Sequence, residues 1–361
     1  MFSNLPFSVM FMLVMAMGTM FSVSSVHWLA IWAGLEVNLI GFLPLLVYQK
    51  SVSESESAVK YFVVQALGSS LLLFGSVLSY GSSFSWEVLD SNSTLSILGF
   101  GVIVSGLFIK MGLFPFHYWL PSVMAGLPWI PCMLLATWQK IAPLFLILCL
   151  LELSDSYLLL YVFCLASAGS SMVGGLGGMN QTQVRALLAY SSIGHLGWIV
   201  FGALHGEWVM KVYFSIYLLI SLSIFMSLLY VDIKVMMNLD SMKNYSFMQL
   251  SVMLLLLSLG GLPPLLGFVS KWVVITVGMS GSFYLFLGLL ILGSLMSLFY
   301  YLSLFFCLSM PAFMQYELVS MGYNSNSLVV VIIFINLTGG ILIMMSNVFN
   351  QFYALAIFNK S

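Results

Sequence analysis

The sequence predicts an all-α polytopic membrane protein of about eleven transmembrane helices, and three observations carry that expectation. Hydrophobic residues make up 61% of the 361 and charged residues 6%, whereas soluble domains hold about 25% charged residues. Mean hydropathy is +1.10. No charged residue occurs between Lys243 and Lys271, between Lys271 and Glu317, or between Glu317 and Lys360. Runs of that length fit helices that each need about 20 apolar residues to cross a bilayer. With 10 Lys+Arg against 11 Asp+Glu there is no basic face to follow a phosphate backbone, so nucleic acid is not an expected partner.

On this ruler the spans fall at residues 5–24, 27–48, 58–80, 94–114, 129–151, 158–177, 187–205, 212–231, 246–273, 283–308 and 328–347. The first run, MFSNLPFSVMFMLVMAMGTM, has no Lys or Arg ahead of it and exceeds a signal-peptide core, so it reads as a retained span. The connections are short and leave no room for a soluble catalytic module. Cys132, Cys149, Cys164 and Cys307 lie in apolar stretches without CxxC spacing. They point to neither a disulfide frame nor an iron–sulfur site and are expected to be buried and inert.

Basic residues in short loops set orientation. Lys50, Lys60, Arg185, Lys234 and Lys243 fall at the ends of even-numbered loops, while Glu87, Asp90, Glu152, Asp155 and Glu207 fall on the odd-numbered side, with Lys211 and Lys360 against the trend. The N-terminus is therefore expected inside and the C-terminus outside. Two echoes point to duplication. Lys60-Tyr61-Phe62 opens span 3 as Val212-Tyr213-Phe214 opens span 8, and GLFPF (112–116) recurs as GLPPLLGF (261–268). An odd number of spans per unit makes the second copy enter upside down, giving two inverted five-helix repeats and one C-terminal helix. The expected division is 1–152, 153–310, and 311–361 for the last loop, helix and tail.

A charge at mid-bilayer costs roughly 2.5–3.5 kcal/mol on insertion scales, so four residues call for a reason. Glu36 lies in span 2 (WAGLEVNLIGFLP), Lys110 late in span 4, Lys140 in the middle of span 5 (TWQKIAP) and Lys271 in span 9 (GFVSKWVV). Lys60, close to a span end, reads as an interface residue. Pro115 after Gly112, and Pro263-Pro264 after Gly260-Gly261, break two long apolar runs and free backbone carbonyls. A break beside a buried lysine marks a hydrated ion path, because unpaired backbone at membrane depth is tolerated only where protein or water covers it; the bland alternative is a proline kink.

His27, His117, His195 and His205 lack the i, i+4 spacing of a helical metal pair, so no metal site is expected. His117 (PFHYWLP) and His195 (SSIGHLGW) suit either proton relay or a structural hydrogen bond. The GGLGG at 174–178 has no following GK[ST]; close helix packing or a flexible span end explains it, and a phosphate loop does not. With no dinucleotide fingerprint, nucleophile elbow or ligand cluster, the chain reads as one that moves charge without covalent chemistry.

Six strings occur in order: GLEVNLIGFLPL, KYFVVQALGS, KMGLFPFHYWLPSV, TWQKIAPL, NQTQVRALLAYSSIGHLGW and GLPPLLGFVSKW. Over residues 28–273 they resemble the subunit 2 family of mitochondrial NADH:ubiquinone oxidoreductase, respiratory complex I, within the antiporter-like group. The resemblance implies a core membrane-arm subunit that translocates protons, driven by quinone reduction elsewhere, and a first span equivalent to the fourth of longer bacterial relatives. By motif, Glu36 and Lys110 resemble the carboxylate–lysine pair of the first half-channel, Lys140 the central lysine and Lys271 the lysine of the second broken helix, where subunit 4 has a glutamate. His195 and His117 resemble relay histidines.

No cofactor is implied in this chain; FMN, iron–sulfur clusters and ubiquinone belong to other subunits. The implied partners are subunits 4 and 4L, the lateral helix of subunit 5, accessory subunits and phospholipids. The implied location is the mitochondrial inner membrane, N-terminus in the matrix and C-terminus in the intermembrane space. Two rivals stay open: a stand-alone cation/proton antiporter, which the TWQK and FHYWLP strings oppose, and a structural spacer of the membrane arm.

Overall fold

A computed structural model describes residues 7–47, 51–83, 94–153, 157–231, 246–279, 281–314, 334 and 336–341. Thirteen helices run through them. In chain order they are α1 (Ser8–Ser24), α2 (Trp28–Leu46), α3 (Val52–Ser83), α4 (Thr94–Met111), α5 (Trp119–Gly126), α6 (Trp129–Ala136), α7 (Ile141–Leu153), α8 (Tyr157–Met179), α9 (Val184–His205), α10 (Glu207–Val231), α11 (Ser246–Gly260), α12 (Leu266–Gly278) and α13 (Tyr284–Met314). A 3₁₀ turn, Trp138–Lys140, joins α6 to α7. Among the described residues seven stretches are long and apolar enough to cross a membrane, and Ser8–Ser24, Ile97–Met111, Met248–Gly260 and Leu266–Gly278 are shorter apolar helices. The expected last span, 328–347, lies mostly outside the described residues.

Many of the helices are apolar on every side, as befits segments solvated by lipid and by one another. Their serines do not disturb this. Ser69, Ser76, Ser167, Ser170 and Ser192 each turn the hydroxyl back onto the carbonyl three residues earlier at 2.8–2.9 Å, so a Ser-rich helix presents no free donor.

The two expected breaks are real and built alike. Gly112 (φ 74°) and Gly261 (φ 81°) take the left-handed conformation that L side chains avoid. At each, the glycine N–H donates three residues back (Ile109 O, 3.2 Å; Ser258 O, 3.0 Å) and the next N–H five residues back (Phe108 O, 3.0 Å; Leu257 O, 3.3 Å). This is the Schellman helix ending, followed by proline as is usual. The expected ninth span, 246–273, is therefore two helices, α11 and α12.

The fifth span, expected to be continuous over 129–151, is also broken. Pro143 has no N–H for the carbonyl of Gln139 and its ring crowds that carbonyl. The chain tightens into the turn at 138–140, with Thr137 Oγ1 donating to Met133 O at 2.7 Å and Lys140 N to Thr137 O at 3.3 Å. Lys140 thus sits on a turn between two helices. The short helix α5, which follows the first break, has no counterpart in the expected spans.

Glycines set the closest helix approaches. A Cβ added at Gly18 would lie 2.5 Å from the backbone N of Asn38, at Gly34 2.6 Å from that of Ser22, and at Gly41 2.7 Å from that of Met15, so α1 and α2 touch backbone to backbone. In the GGLGG run, a Cβ added at Gly174 would lie 2.6 Å from the backbone N of Gly194 on α9, and one at Gly175 2.6 Å from Gly293 O on α13, which settles that run as a packing device. The expectation of four buried cysteines is corrected. Cys132 and Cys164 are buried, but Cys149 and Cys307 are exposed, because they fall on faces of α7 and α13 turned away from the bundle.

The buried apolar residues form two clusters, and most long helices pass from one to the other. Along α2, Trp28, Ile31 and Leu35 belong to one cluster and Phe42, Leu45 and Leu46 to the other; along α9, Val184–Ile193 and Leu196–Ala203 divide the same way. The changeover is where the polar residues sit. Glu36 and Asn38 mark it on α2, Gln65 on α3, Lys140 between α6 and α7, His195 on α9, Tyr217 on α10, and Lys271 on α12. A polar layer therefore crosses the bundle between two apolar caps.

Candidate functional site: a polar layer between two apolar cores

At one end of the layer, Glu36 Oε1 lies 4.0 Å from Lys110 Nζ. Charge-assisted hydrogen bonds are about 2.7–2.9 Å long, so the two groups attract without being bonded, and Glu36 Oε1 is a buried atom with no hydrogen-bond partner among the described residues. Lys110 occupies the last turn of α4, where the helix dipole favours a cation. Gly68 of α3 makes room for its stem: a Cβ there would come within 3.1 Å of Lys110 Cγ. The carbonyls freed by the break are covered by neutral donors, Trp119 Nε1 to Ile109 O at 3.0 Å and Gln65 Nε2 to Lys110 O at 3.3 Å.

A cavity of about 20 Å³ follows, lined by Asn38, Tyr61, Gln65, Lys110, Gln139 and Lys140 among others. By the same measure one water needs about 10–15 Å³, so the space between the two lysines has room for a single water. Asn38 Nδ2 donates to Gln139 Oε1 at 2.7 Å, and Gln139 Nε2 donates to Asn38 Oδ1 at 3.3 Å.

Lys140 is 2% exposed, which removes snorkelling as an account of it. Its Nζ donates to the Tyr217 hydroxyl at 3.4 Å and lies 5.4 Å from the centre of that ring. The Tyr217 hydroxyl in turn donates to Ala136 O at 3.2 Å, one of the carbonyls left over where α6 ends. Tyr217 also faces His195, ring centres 5.3 Å apart, and His195 Nδ1 is 3.0 Å from the hydroxyl of Tyr213, one turn earlier on α10. A second cavity, about 10 Å³, brings His195 and Lys271 together with Ser191, Ser294, Ser297 and Tyr301.

Lys271 ends the series differently from Lys110. It follows its break, and its Nζ reaches back to the end of α11, donating to Gly260 O at 2.8 Å and Leu259 O at 3.5 Å. A Cβ on Gly261 would lie 2.9 Å from Lys271 Cδ and Nζ, so this glycine both turns the chain and leaves space for the lysine. The backbone N of Leu266, which opens α12, is capped by Asn336 Oδ1 at 3.3 Å.

Five of the six expected relay residues, Glu36, Lys110, Lys140, His195 and Lys271, thus share one layer. His117 does not line either cavity: it sits in the first break, Nδ1 3.1 Å from Pro115 O, packed on Tyr118 with ring centres 4.0 Å apart. Lys60 pairs with Glu56 at 2.6 Å on an exposed face, in keeping with an interface residue. The sequence reading missed the neutral connectors Asn38, Gln139, Tyr213 and Tyr217. Asn38 and Gln139 stand within two residues of Glu36 and Lys140, a signal available in the strings themselves; the tyrosines carry no such mark. Among the described residues no group of three or more His, Cys, Asp or Glu could hold a metal ion.

The sequence matches the family described as NADH:quinone oxidoreductase/Mrp antiporter, transmembrane, over residues 25–297. It is 37% identical over 314 residues to NADH-ubiquinone oxidoreductase chain 2 of Patiria pectinifera, covering 86% of each chain. It is 39% identical over 328 residues to the chain 2 of Anopheles gambiae, covering 88% of this chain and 87% of that one. Among solved structures, a chain of respiratory complex I from Thermus thermophilus with bound aureothin superposes with a TM-score of 0.82 at 27% identity, over 94% of this chain and 79% of that one. The chain belongs to the NADH:quinone oxidoreductase/Mrp antiporter transmembrane family, within its NADH-ubiquinone oxidoreductase chain 2 group.

Proposed function

We propose that the polar layer is a proton relay and that its charged stations act in the order Glu36, Lys110, Lys140, His195, Lys271. As a chain 2 family member the protein is a membrane-arm subunit of NADH:ubiquinone oxidoreductase, and quinone reduction elsewhere in that complex supplies the drive. The observation that carries the reading is the placement of these groups at the changeover between two apolar cores, with a cavity or an aromatic hydroxyl in each interval from Lys110 to Lys271 and Glu36 facing Lys110 at 4.0 Å. Withdrawal of Glu36 from Lys110 leaves a buried cation uncompensated and favours release of its proton through the cavity to Lys140. From there Tyr217 and His195 lead to Lys271, whose charge the end of α11 accepts. No electron transfer is assigned to this chain.

Three finer readings belong to the same proposal. The matched Schellman endings at Gly112 and Gly261, 149 residues apart (261 − 112), support two inverted repeats, 1–152 and 153–310, followed by a C-terminal helix. The basic residues of the even-numbered loops support an N-terminus in the matrix and a C-terminus in the intermembrane space of the inner mitochondrial membrane. The partners are subunits 4 and 4L, the lateral helix of subunit 5, accessory subunits and phospholipids. His117, held at the first break, is read as a relay group at its edge.

The test is Lys110→Met or Lys140→Met in the assembled complex. The relay expects NADH:ubiquinone turnover and proton transfer to fall together by roughly 100-fold or more, with assembly on native gels retained. Parental NADH:ubiquinone turnover with undiminished proton transfer in assembled variants overturns it and leaves the spacer role.

A further inference from the structure

We propose that Asn38 and Gln139 form a positioning pair, a reciprocal amide clasp that holds Lys140 against the Lys110 cavity and orients the water for which that cavity has room. The inference rests on the relay reading above and adds to it two residues with no titratable group.

The turn at 138–140 is where the argument starts. A helix fixes its residues through its own ladder of hydrogen bonds, and this turn keeps only the tighter bonds of a 3₁₀ turn, such as Lys140 N to Thr137 O, so side-chain ties help to decide where Lys140 stands. One tie is local, from Thr137 Oγ1 to Met133 O. The other crosses 101 residues to α2, through Asn38 and Gln139 bonded both ways at 2.7 and 3.3 Å. An amide has a donor and an acceptor, and two amides set face to face satisfy one of each on either side. That leaves one N–H and one lone pair per residue free. Both residues line the cavity together with Lys110 and Lys140, so their two free lone pairs supply the acceptors that a single water between two ammonium groups needs for its hydrogens. The backbone of Lys140 is thereby placed from the helix that carries Glu36, while Tyr217 on α10 receives its ammonium from the other side.

An amide-length swap tests this. Asn contributes one methylene and Gln two, so Asn38→Gln alone lengthens the clasp and Gln139→Asn alone shortens it, each by on the order of 1 Å, a misplacement that can lower a rate by up to about 100-fold. The double variant keeps the total. In the assembled complex in sealed vesicles, each single variant is expected to lower NADH:ubiquinone turnover and coupled acidification about tenfold, and the swap to return both to within about twofold of the parent. Singles that turn over at the parental rate overturn the proposal. So does a swap no faster than the singles, or one that fails to assemble. If the singles themselves do not assemble, a swap that assembles and pumps still supports it. Lys140→Met run in parallel separates the two levels: normal pumping there removes the relay itself, whereas lost pumping beside unaffected clasp variants removes this inference alone.

Discussion

Alanine at Gly261 should injure the protein more than alanine at Gly112, although the two glycines end helices in the same way. Both have positive φ, 81° and 74°, so both substitutions carry the left-handed penalty of about 1–2 kcal/mol. What differs is what the new methyl meets. At Gly112 it approaches Leu120 Cδ1 at 3.0 Å; at Gly261 it lies 2.9 Å from Lys271 Cδ and Nζ. A leucine tip can turn aside within an apolar pocket. Lys271 can turn aside only by leaving Gly260 O, to which it now donates at 2.8 Å. A hydrogen bond from a charged donor contributes about 1.5–3 kcal/mol. Taken wholly on the transfer step, at 1.36 kcal/mol per tenfold, that excess corresponds to a rate about 10- to 150-fold below that of Gly112→Ala. The assay is NADH:ubiquinone turnover with vesicle acidification, normalised to assembled complex. Equal rates in the two variants, or full acidification by Gly261→Ala, would refute the view that the grip of Lys271 on α11 matters to transfer.

Other outcomes follow from the same layer. Glu36→Gln should slow the assembled complex less than Lys140→Met, because Glu36 stands 4.0 Å from Lys110 without a hydrogen bond while Lys140 is the buried centre of the layer, joined to the neutral hydroxyl of Tyr217; steady-state turnover ranks them, and the reverse order means the input end lies elsewhere. Tyr217→Phe removes an acceptor for Lys140 and a donor to Ala136 O but keeps the ring; a bond of about 0.5–1.5 kcal/mol predicts a 2- to 12-fold loss in coupled turnover, and an unchanged rate would take the hydroxyl out of the path.

Much of this was legible in the sequence because the bilayer imposes simple rules. About 20 apolar residues make a span, and a glycine with a following proline ends a helix, so α1 to α3, α8 to α10 and the two Schellman breaks could be read from the letters. Charges in apolar runs are costly enough to be conspicuous, which marks Glu36, Lys110, Lys140 and Lys271 in the letters, with His195 beside them as a polar residue in an apolar helix. What escaped were features that depend on rotation about a helix axis. Tyr217 and Tyr213 look like any other aromatic residues in an apolar helix until α10 is seen to turn them toward His195 and Lys140. The turn at 138–140 was hidden because TWQK is framed by apolar residues on both sides, although Pro143 carried the signal. The exposure of Cys149 and Cys307 escapes the letters for the same reason: an apolar stretch in a membrane protein does not say whether it faces the bundle or the lipid.

The backbone contact between α1 and α2 bears on how the input end can move. With a Cβ added at Gly18, Gly34 or Gly41 falling only 2.5–2.7 Å from the opposite main chain, the two helices have no compressible layer of side chains between them over this stretch. Asn38, whose amide holds the turn at Lys140, has its own backbone seated on Gly18. A displacement of α2 that draws Glu36 away from Lys110 must therefore carry α1 with it as one rigid plank. The outward face of α1, with Val9, Leu13, Met17 and Met20 exposed, then sweeps whatever lies beside it. A helix with no charged residue of its own among the described ones would thereby carry any movement of Glu36 to the outer face of the bundle.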